Sequence, residues 1–220
     1  MAGMSKQRAA YLALRQRIME GAYGSGARLT IDSLARELGM SQTPVREAIR
    51  QLEAEGLVVY DRHRGARIAT VDQTGYAETM VLLALLEGYA TAAAAEHVGE
   101  EDLAALDALN RDMEAAVRAL DVVRFQELNV EFHRTIYRRC PNRYLTEMLD
   151  NAWARLNTIR RNIFTFIPGR SAASIDEHRR LIEMLAERAP AVELEMYARQ
   201  HKLRTLEAFR SWQGKSLPAG

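Results

Sequence analysis

The sequence predicts a mainly α-helical chain in two parts. Residues 1–71 read as three helices and a short hairpin, residues 72–213 as an all-α six-helix bundle, and residues 214–220 as a tail. Three observations carry this. Apolar residues recur at helical spacing through most of the chain. Strand-like stretches are confined to the neighbourhood of residue 60. Charge is divided, with a net +4 over residues 1–71 and −3 over the rest. A basic N-terminal part joined to a slightly acidic one is the balance expected of a nucleic-acid module with a partner domain.

The first helix places Tyr11, Leu14 and Ile18 on one face, and Gly21, Gly24 and Gly26 break it. A second helix runs from Asp32 to Leu38, with Leu34, Ala35 and Leu38 inward and Gly39 just past its end. The third carries the clearest signals: Thr43 suits an N-cap, Pro44 the first helical position, and Val45, Ala48, Ile49 and Leu52 form a buried stripe. Arg46 and Arg50 are left one turn apart on the exposed face, and Gly56 stops the helix. Leu57–Tyr60 and Ala66–Ala69 then read as two strands, joined by a loop holding Arg62, His63 and Arg64. Three helices followed by a hairpin make a winged helix-turn-helix, whose third helix is of a size to enter a DNA major groove.

Beyond Val71 the predicted helices span 72–97, 100–119, 122–139, 142–166, 171–188 and 190–212, separated at Gly99, Asp121, Pro141-Asn142, Pro168-Gly169 and Pro190. The longest apolar run, Met80 to Ala95, is interrupted by Glu87, Gly88 and Thr91. It falls short of the ~20 residues of a spanning helix, so it reads as a buried helix and no membrane span is expected. Cys140 is the single cysteine, which excludes an intrachain disulfide or a multi-cysteine zinc site and suits a reducing cytoplasm. The first seventeen residues hold no apolar signal core, so a cytoplasmic location is expected.

The run from Leu34 to Ile49, Leu-Ala-Arg-Glu-Leu-Gly-Met-Ser-Gln-Thr-Pro-Val-Arg-Glu-Ala-Ile, strongly resembles the recognition segment of GntR-type bacterial transcription regulators. Leu52, Glu55-Gly56-Leu57-Val58 and Arg64-Gly65-Ala66 match that family's third helix and wing, and the helical remainder resembles its FCD effector domain in the shorter, six-helix, VanR-like form. The resemblance implies DNA contacts from Ser41, Gln42, Thr43, Arg46, Arg50, Arg64 and Gly65. Arginine suits the task because its fork matches guanine O6/N7 or phosphate oxygens. Where many relatives carry Arg, this chain has Gln42, so an operator sequence does not transfer.

Three histidines stand apart from His63 in the wing and His97 near a helix end. His133 lies in the stripe Phe125, Leu128, Asn129, Phe132, Ile136; His178 lies between Ile175 and Ile182; His201 shares a face with Leu194, Tyr197 and Ala198. A lone imidazole on an apolar face is usually a hydrogen-bonded core residue. Three facing inward from three helices form a ligand set for a divalent metal of the zinc, nickel or manganese class, with a position open to a further ligand. The FCD resemblance implies a metal held by these three histidines and an Asp, whose place is taken here by Asn129, a fourth ligand whose amide oxygen can still coordinate but brings no charge.

The expected function is a ligand-responsive regulator, by analogy a repressor. It acts as a homodimer on a pseudo-palindromic double-stranded operator, with a small carboxylate effector at the metal. One alternative is a regulator that senses the ion itself. A more remote one is a helical metalloenzyme, disfavoured because Glu-x-x-His pairs are absent: Glu131-Phe132-His133 and Glu177-His178 have the wrong spacing. No nucleophile elbow or phosphate-cradling glycine loop occurs either, so no catalytic residue is expected.

Overall fold

The computed structural model describes residues 5–19, 22–23, 26–61, 65–69, 72–160, 167 and 169–216. The chain divides into two compact units, one built on residues 1–71 and the other on residues 72–160 and 169–212.

In the first unit, α1 (Lys6–Met19) packs on α3 (Gln42–Ala54) through Tyr11, Leu14 and Ile18, and α2 (Ile31–Leu38) packs on α3 in turn. The Tyr11 hydroxyl donates to Glu55 Oε1 at 2.6 Å, which ties α1 to the end of α3. Gly39 closes α2 with φ +63°, a conformation in which a Cβ would be strained, and the following amide of Met40 returns to Ala35 O at 2.9 Å. Gly56 plays the same part after α3, with φ +71°. The start of α3 departs from expectation: Ser41, with φ −71° and ψ 163°, is the N-cap, and Thr43 and Pro44 lie inside the first turn. The physical reason is that a first-turn residue has no helical partner for its N–H, so proline is tolerated at several positions there and does not fix where the helix begins.

The sheet also differs. β2 (Val58–Asp61) and β3 (Gly65–Ile68) form the expected antiparallel hairpin, one residue out from the expected bounds at each start. β1 (Arg28–Leu29) adds a third strand, pairing Arg28 with Arg67 and Leu29 with Ala66 in the order β1-β3-β2. Two residues are too few to show alternation, and their partner lies nearly forty positions away. Arg62, His63 and Arg64 lie outside the described residues.

The second unit holds α4 (Gln73–Ala94, with a 3-10 turn over Ala95–His97), α5 (Glu100–Ala119), α6 (Val122–Tyr137), α7 (Arg143–Arg160), α8 (Arg170–Ala186) and α9 (Ala191–Ser216). α9 runs into the stretch expected to be tail. Asp72 caps α4 by accepting from Gly75 N at 2.9 Å, and Asp121 caps α6 by accepting from Arg124 N at 3.0 Å. α5 packs on α6 and α8, while α4 packs on α6 and α7. Phe125, Phe132, Trp153, Leu156, Leu106 and Met113 fill the space between them. By length and composition alone α4 could cross a membrane, longer in this respect than the apolar run suggested, but half of its apolar window is buried inside the bundle. Gly88 explains how α9 comes so near: a Cβ there would stand 3.0 Å from Glu195 O and 3.2 Å from Arg199 Cβ. That close approach carries Lys202 of α9 to Glu87 of α4.

Candidate functional site

Residues 41–50 sort by face as the stripe dictates. Val45, Ala48 and Ile49 are buried, while Ser41, Gln42, Thr43, Arg46 and Arg50 are exposed. Arg50 pairs with Glu47 on its own helix at 3.1 Å, a solvent-exposed contact of small energetic weight that a phosphate or base can displace. Gln42 Nε2 donates to Asp32 Oδ1 at 2.6 Å, so the start of α3 is braced by α2. Because a carboxylate only accepts, the amide group must face Asp32, and the Gln42 oxygen is left as the acceptor on offer. Gly65 opens β3 with φ +75°, which a side chain would strain. Arg64, placed among the DNA contacts by sequence, lies outside the described residues.

The second constellation is buried. His133 on α6, His178 on α8 and His201 on α9 are 4%, 0% and 3% exposed, and one nitrogen from each lies within 4.8 Å of the others. Phe132 stacks on His178 with ring centroids 4.0 Å apart. Asn129 is buried one turn before His133 on α6. The structure therefore brings the three predicted imidazoles together.

Their surroundings are unequal. His133 Nδ1 stands 3.1 Å from Glu87 Oε2, and the same oxygen is 3.2 Å from Lys202 Nζ, whose ammonium lies 4.2 Å from the Trp153 ring centroid. His201 Nδ1 stands 2.6 Å from Glu177 Oε2. Glu177 is held by Arg170, which also donates to Thr205 Oγ1 at 3.0 Å, and by Arg204 at 3.5 Å. Two imidazoles are thus each backed by a carboxylate, and each carboxylate by a buried cation. His178 is different: among the described residues neither of its ring nitrogens has a hydrogen-bond partner.

Burial drives the protonation of the cluster. It holds His178 well below the usual histidine range, with the neighbouring His201 and His133 adding to the effect. It lowers His201 to about 4, although the bond to Glu177 pulls the other way. Burial alone would raise Glu177, but the His201 and Arg170 bonds prevail and bring it to about 2. Burial raises Glu87, with Lys202 opposing. Neutral imidazoles are the form that ligates a metal. An imidazole that is wholly buried with two unpaired nitrogens costs free energy unless something absent from the chain satisfies it. On this test the residues present fit a divalent metal, which His133, His178 and His201 would hold. The reading of sequence missed Glu87, Glu177, Lys202 and Arg170. A signal existed for the first, since Glu87 is the acid inside the apolar run from Met80 to Ala95.

The two units match two family models, the gntR family of bacterial regulatory proteins over residues 6–68 and the FCD domain over residues 78–201. The chain is 28% identical to the HTH-type transcriptional regulator YdhC of Bacillus subtilis, covering 79% of this chain and 77% of YdhC. It is 32% identical to the regulator McbR of Escherichia coli over 65% of each chain. It is 30% identical to a probable D-xylose utilization operon repressor of Paenarthrobacter nicotinovorans, over 76% of this chain and 73% of that one. Among solved structures, a GntR-family regulator from Pseudomonas syringae superposes with a TM-score of 0.55 at 25% identity, covering 95% of this chain and 88% of that one. These relatives are transcription regulators rather than enzymes. A basic reading helix with its wing strands, joined to an FCD helical unit, therefore places the chain in the GntR family of DNA-binding bacterial transcription regulators.

Proposed function

We propose that this regulator is a repressor that binds a pseudo-palindromic operator as a homodimer and is controlled by a small organic acid bound at a divalent metal in the helical unit. The observation that carries the reading is His178, wholly buried, with neither ring nitrogen partnered among the described residues, facing His133 and His201 within ligand reach. When bound, the metal supplies a Lewis-acidic centre for a carboxylate oxygen. The chain's residues do the rest: the three histidines ligate, Asn129 lines the same face of α6 without adding charge, and the apolar bundle excludes water. A neutral donor set leaves the metal's charge uncompensated, which favours an anionic ligand. That ligand alters operator affinity to the extent that it binds the bundle's DNA-competent and DNA-incompetent states unequally.

Repression is supported by the name of the D-xylose operon relative. Dimerisation is supported by α4, which exposes Val81, Leu82, Leu85 and Tyr89 along one face, and by α7, which packs on α4 and exposes Tyr144 and Met148. A stripe of this kind on a bundle is apolar surface suited to a second copy. DNA contacts fall to Ser41, Gln42, Thr43, Arg46, Arg50, Arg64 and Gly65, and one reading helix covers half a site. The cytoplasm, where the chromosome lies, is the corresponding location.

Native mass spectrometry of the purified chain tests the reading. A dimer carrying about one metal per subunit is the expected result. A metal-free dimer that still shifts operator DNA and ignores added divalent ions would refute the metal assignment. Operator binding that responds to the ion alone, with no organic acid present, would instead make the ion the signal.

A further inference from the structure

Two of the three histidines carry an outer carboxylate on Nδ1, and in both cases that carboxylate is anchored by a cation 5% exposed or less: Lys202 for Glu87, Arg170 for Glu177. Glu87 Oε2 is shared between His133 Nδ1 at 3.1 Å and Lys202 Nζ at 3.2 Å. An oxygen that already receives a proton from an ammonium acts as an acceptor toward its second neighbour. The His133 contact is therefore Nδ1–H donating to the carboxylate, which leaves Nε2 as the lone-pair nitrogen. The same argument applied to Glu177, which Arg170 and Arg204 hold as an acceptor, makes His201 an Nδ1–H tautomer with Nε2 as its lone-pair nitrogen.

We infer that Glu87 and Glu177 are positioning residues that fix His133 and His201 as Nδ1–H tautomers, so that Nε2 is the ligating atom of each, while His178 is left free of such a constraint. The inference rests on the metal reading for its purpose but not for its geometry. The Glu87 carboxylate is not among the mutually close donor atoms of the three histidines, so it acts on the site through His133. Outer carboxylates of this kind orient ligating imidazoles and raise their basicity, and their loss typically lowers metal affinity about 10–100-fold.

The pairing of each acid with a cation dictates the choice of variant. Truncating Glu87 alone would take its carboxylate away from the buried Lys202 ammonium, whereas replacing both by methionine removes the acid and the cation together. Long-range proton–nitrogen NMR spectra of the full-length, chelator-treated chain report the tautomer of each histidine directly. In the wild type, His133 and His201 are expected as Nδ1–H forms. In Glu87→Met/Lys202→Met, His133 should lose that preference while His201 keeps it, and the affinity for cobalt(II), read by absorption titration, should fall 10–100-fold. Glu87→Gln, whose side-chain oxygen still accepts, should hold His133 in the Nδ1–H form. An Nε2–H form at His133 in the wild type overturns the inference, and that spectrum decides the matter even where the double variant does not fold. An unchanged tautomer and cobalt affinity in a folded double variant also overturn it. A wild-type chain that binds no cobalt, yet shows the Nδ1–H form at both residues, refutes the metal reading and leaves the tautomer assignment standing.

Discussion

A residue built to hold something absent from the chain should destabilise the fold until that something arrives. His178 meets the condition: it is 0% exposed, and neither nitrogen has a hydrogen-bond partner among the described residues. A buried polar group left unsatisfied costs about 1–3 kcal/mol. Replacing His178 by leucine removes that cost and keeps a similar volume. It forfeits the stack on Phe132, whose rings lie 4.0 Å apart at 18°. Such aromatic pairs are worth about 0.5–1.5 kcal/mol. The balance favours the variant by about 1 kcal/mol in the presence of chelator, and at roughly 2–4 °C per kcal/mol the melting temperature rises by about 2–4 °C. Metal reverses the order. At about 100 times the dissociation constant, a ligand that binds only the folded state adds about 2.7 kcal/mol to the wild type and nothing to a variant that has lost a ligating imidazole. Calorimetric melts of both chains, with chelator and with zinc or cobalt, therefore give crossed rankings. His178→Leu less stable than wild type in chelator by more than about 1 kcal/mol would show that the imidazole is satisfied by the protein, and the metal argument would fail.

Other outcomes follow from the same geometry. Arg46→Ala removes an exposed guanidinium from the reading face without touching the core, so specific operator retention in a gel shift should vanish while the melt stays within about 0.5 kcal/mol of wild type. Wild-type operator affinity should fall about 10³–10⁵-fold between 50 and 200 mM salt if six to ten phosphates are contacted; a flat response contradicts the DNA-facing assignment. Acid should loosen the metal-free bundle. His201 titrates near 4 in the fold and near 6.5 when unfolded, so above pH 6.5 both states are neutral and its full contribution is present. As pH falls from about 6.5 to 4 the unfolded chain takes up a proton that the fold refuses, costing about 1.4 kcal/mol per unit, or about 3 kcal/mol in all. Glu87 contributes with the opposite sign, since its carboxyl is raised, so the slope is read as the difference between wild type and His201→Leu, which should lose about 3 kcal/mol less over that range. Equal slopes would remove the case for a buried neutral His201. Leu85→Asp, on the exposed face of α4, should convert the dimer to a monomer in sedimentation with the helical content retained; a surviving dimer places the interface elsewhere.

Short-range signals made much of the first unit legible. Gly39 and Gly56 end α2 and α3 because each adopts a left-handed backbone that side chains resist, and that preference is local. Val45, Ala48, Ile49 and Leu52 identified the buried face of α3, and by subtraction the exposed face with Arg46 and Arg50. The N-cap was misplaced because Thr43-Pro44 fits more than one register of a first turn. β1 was missed because Arg28–Leu29 is a strand only through its partners Ala66 and Arg67.

In the helical unit, periodicity alone determined that His133, His178 and His201 turn inward from three separate helices, because the 3.6-residue repeat records which side of a helix avoids water. It carries no information about which inward faces meet. Only the packed bundle decided that three imidazoles share one centre, that Glu87 and Glu177 stand behind two of them, and that Gly88 lets Lys202 reach across from α9. Those contacts join α4 to α6 and α9, and α8 to α9, across stretches of chain far longer than any local preference spans, so they exist only once the helices are in place.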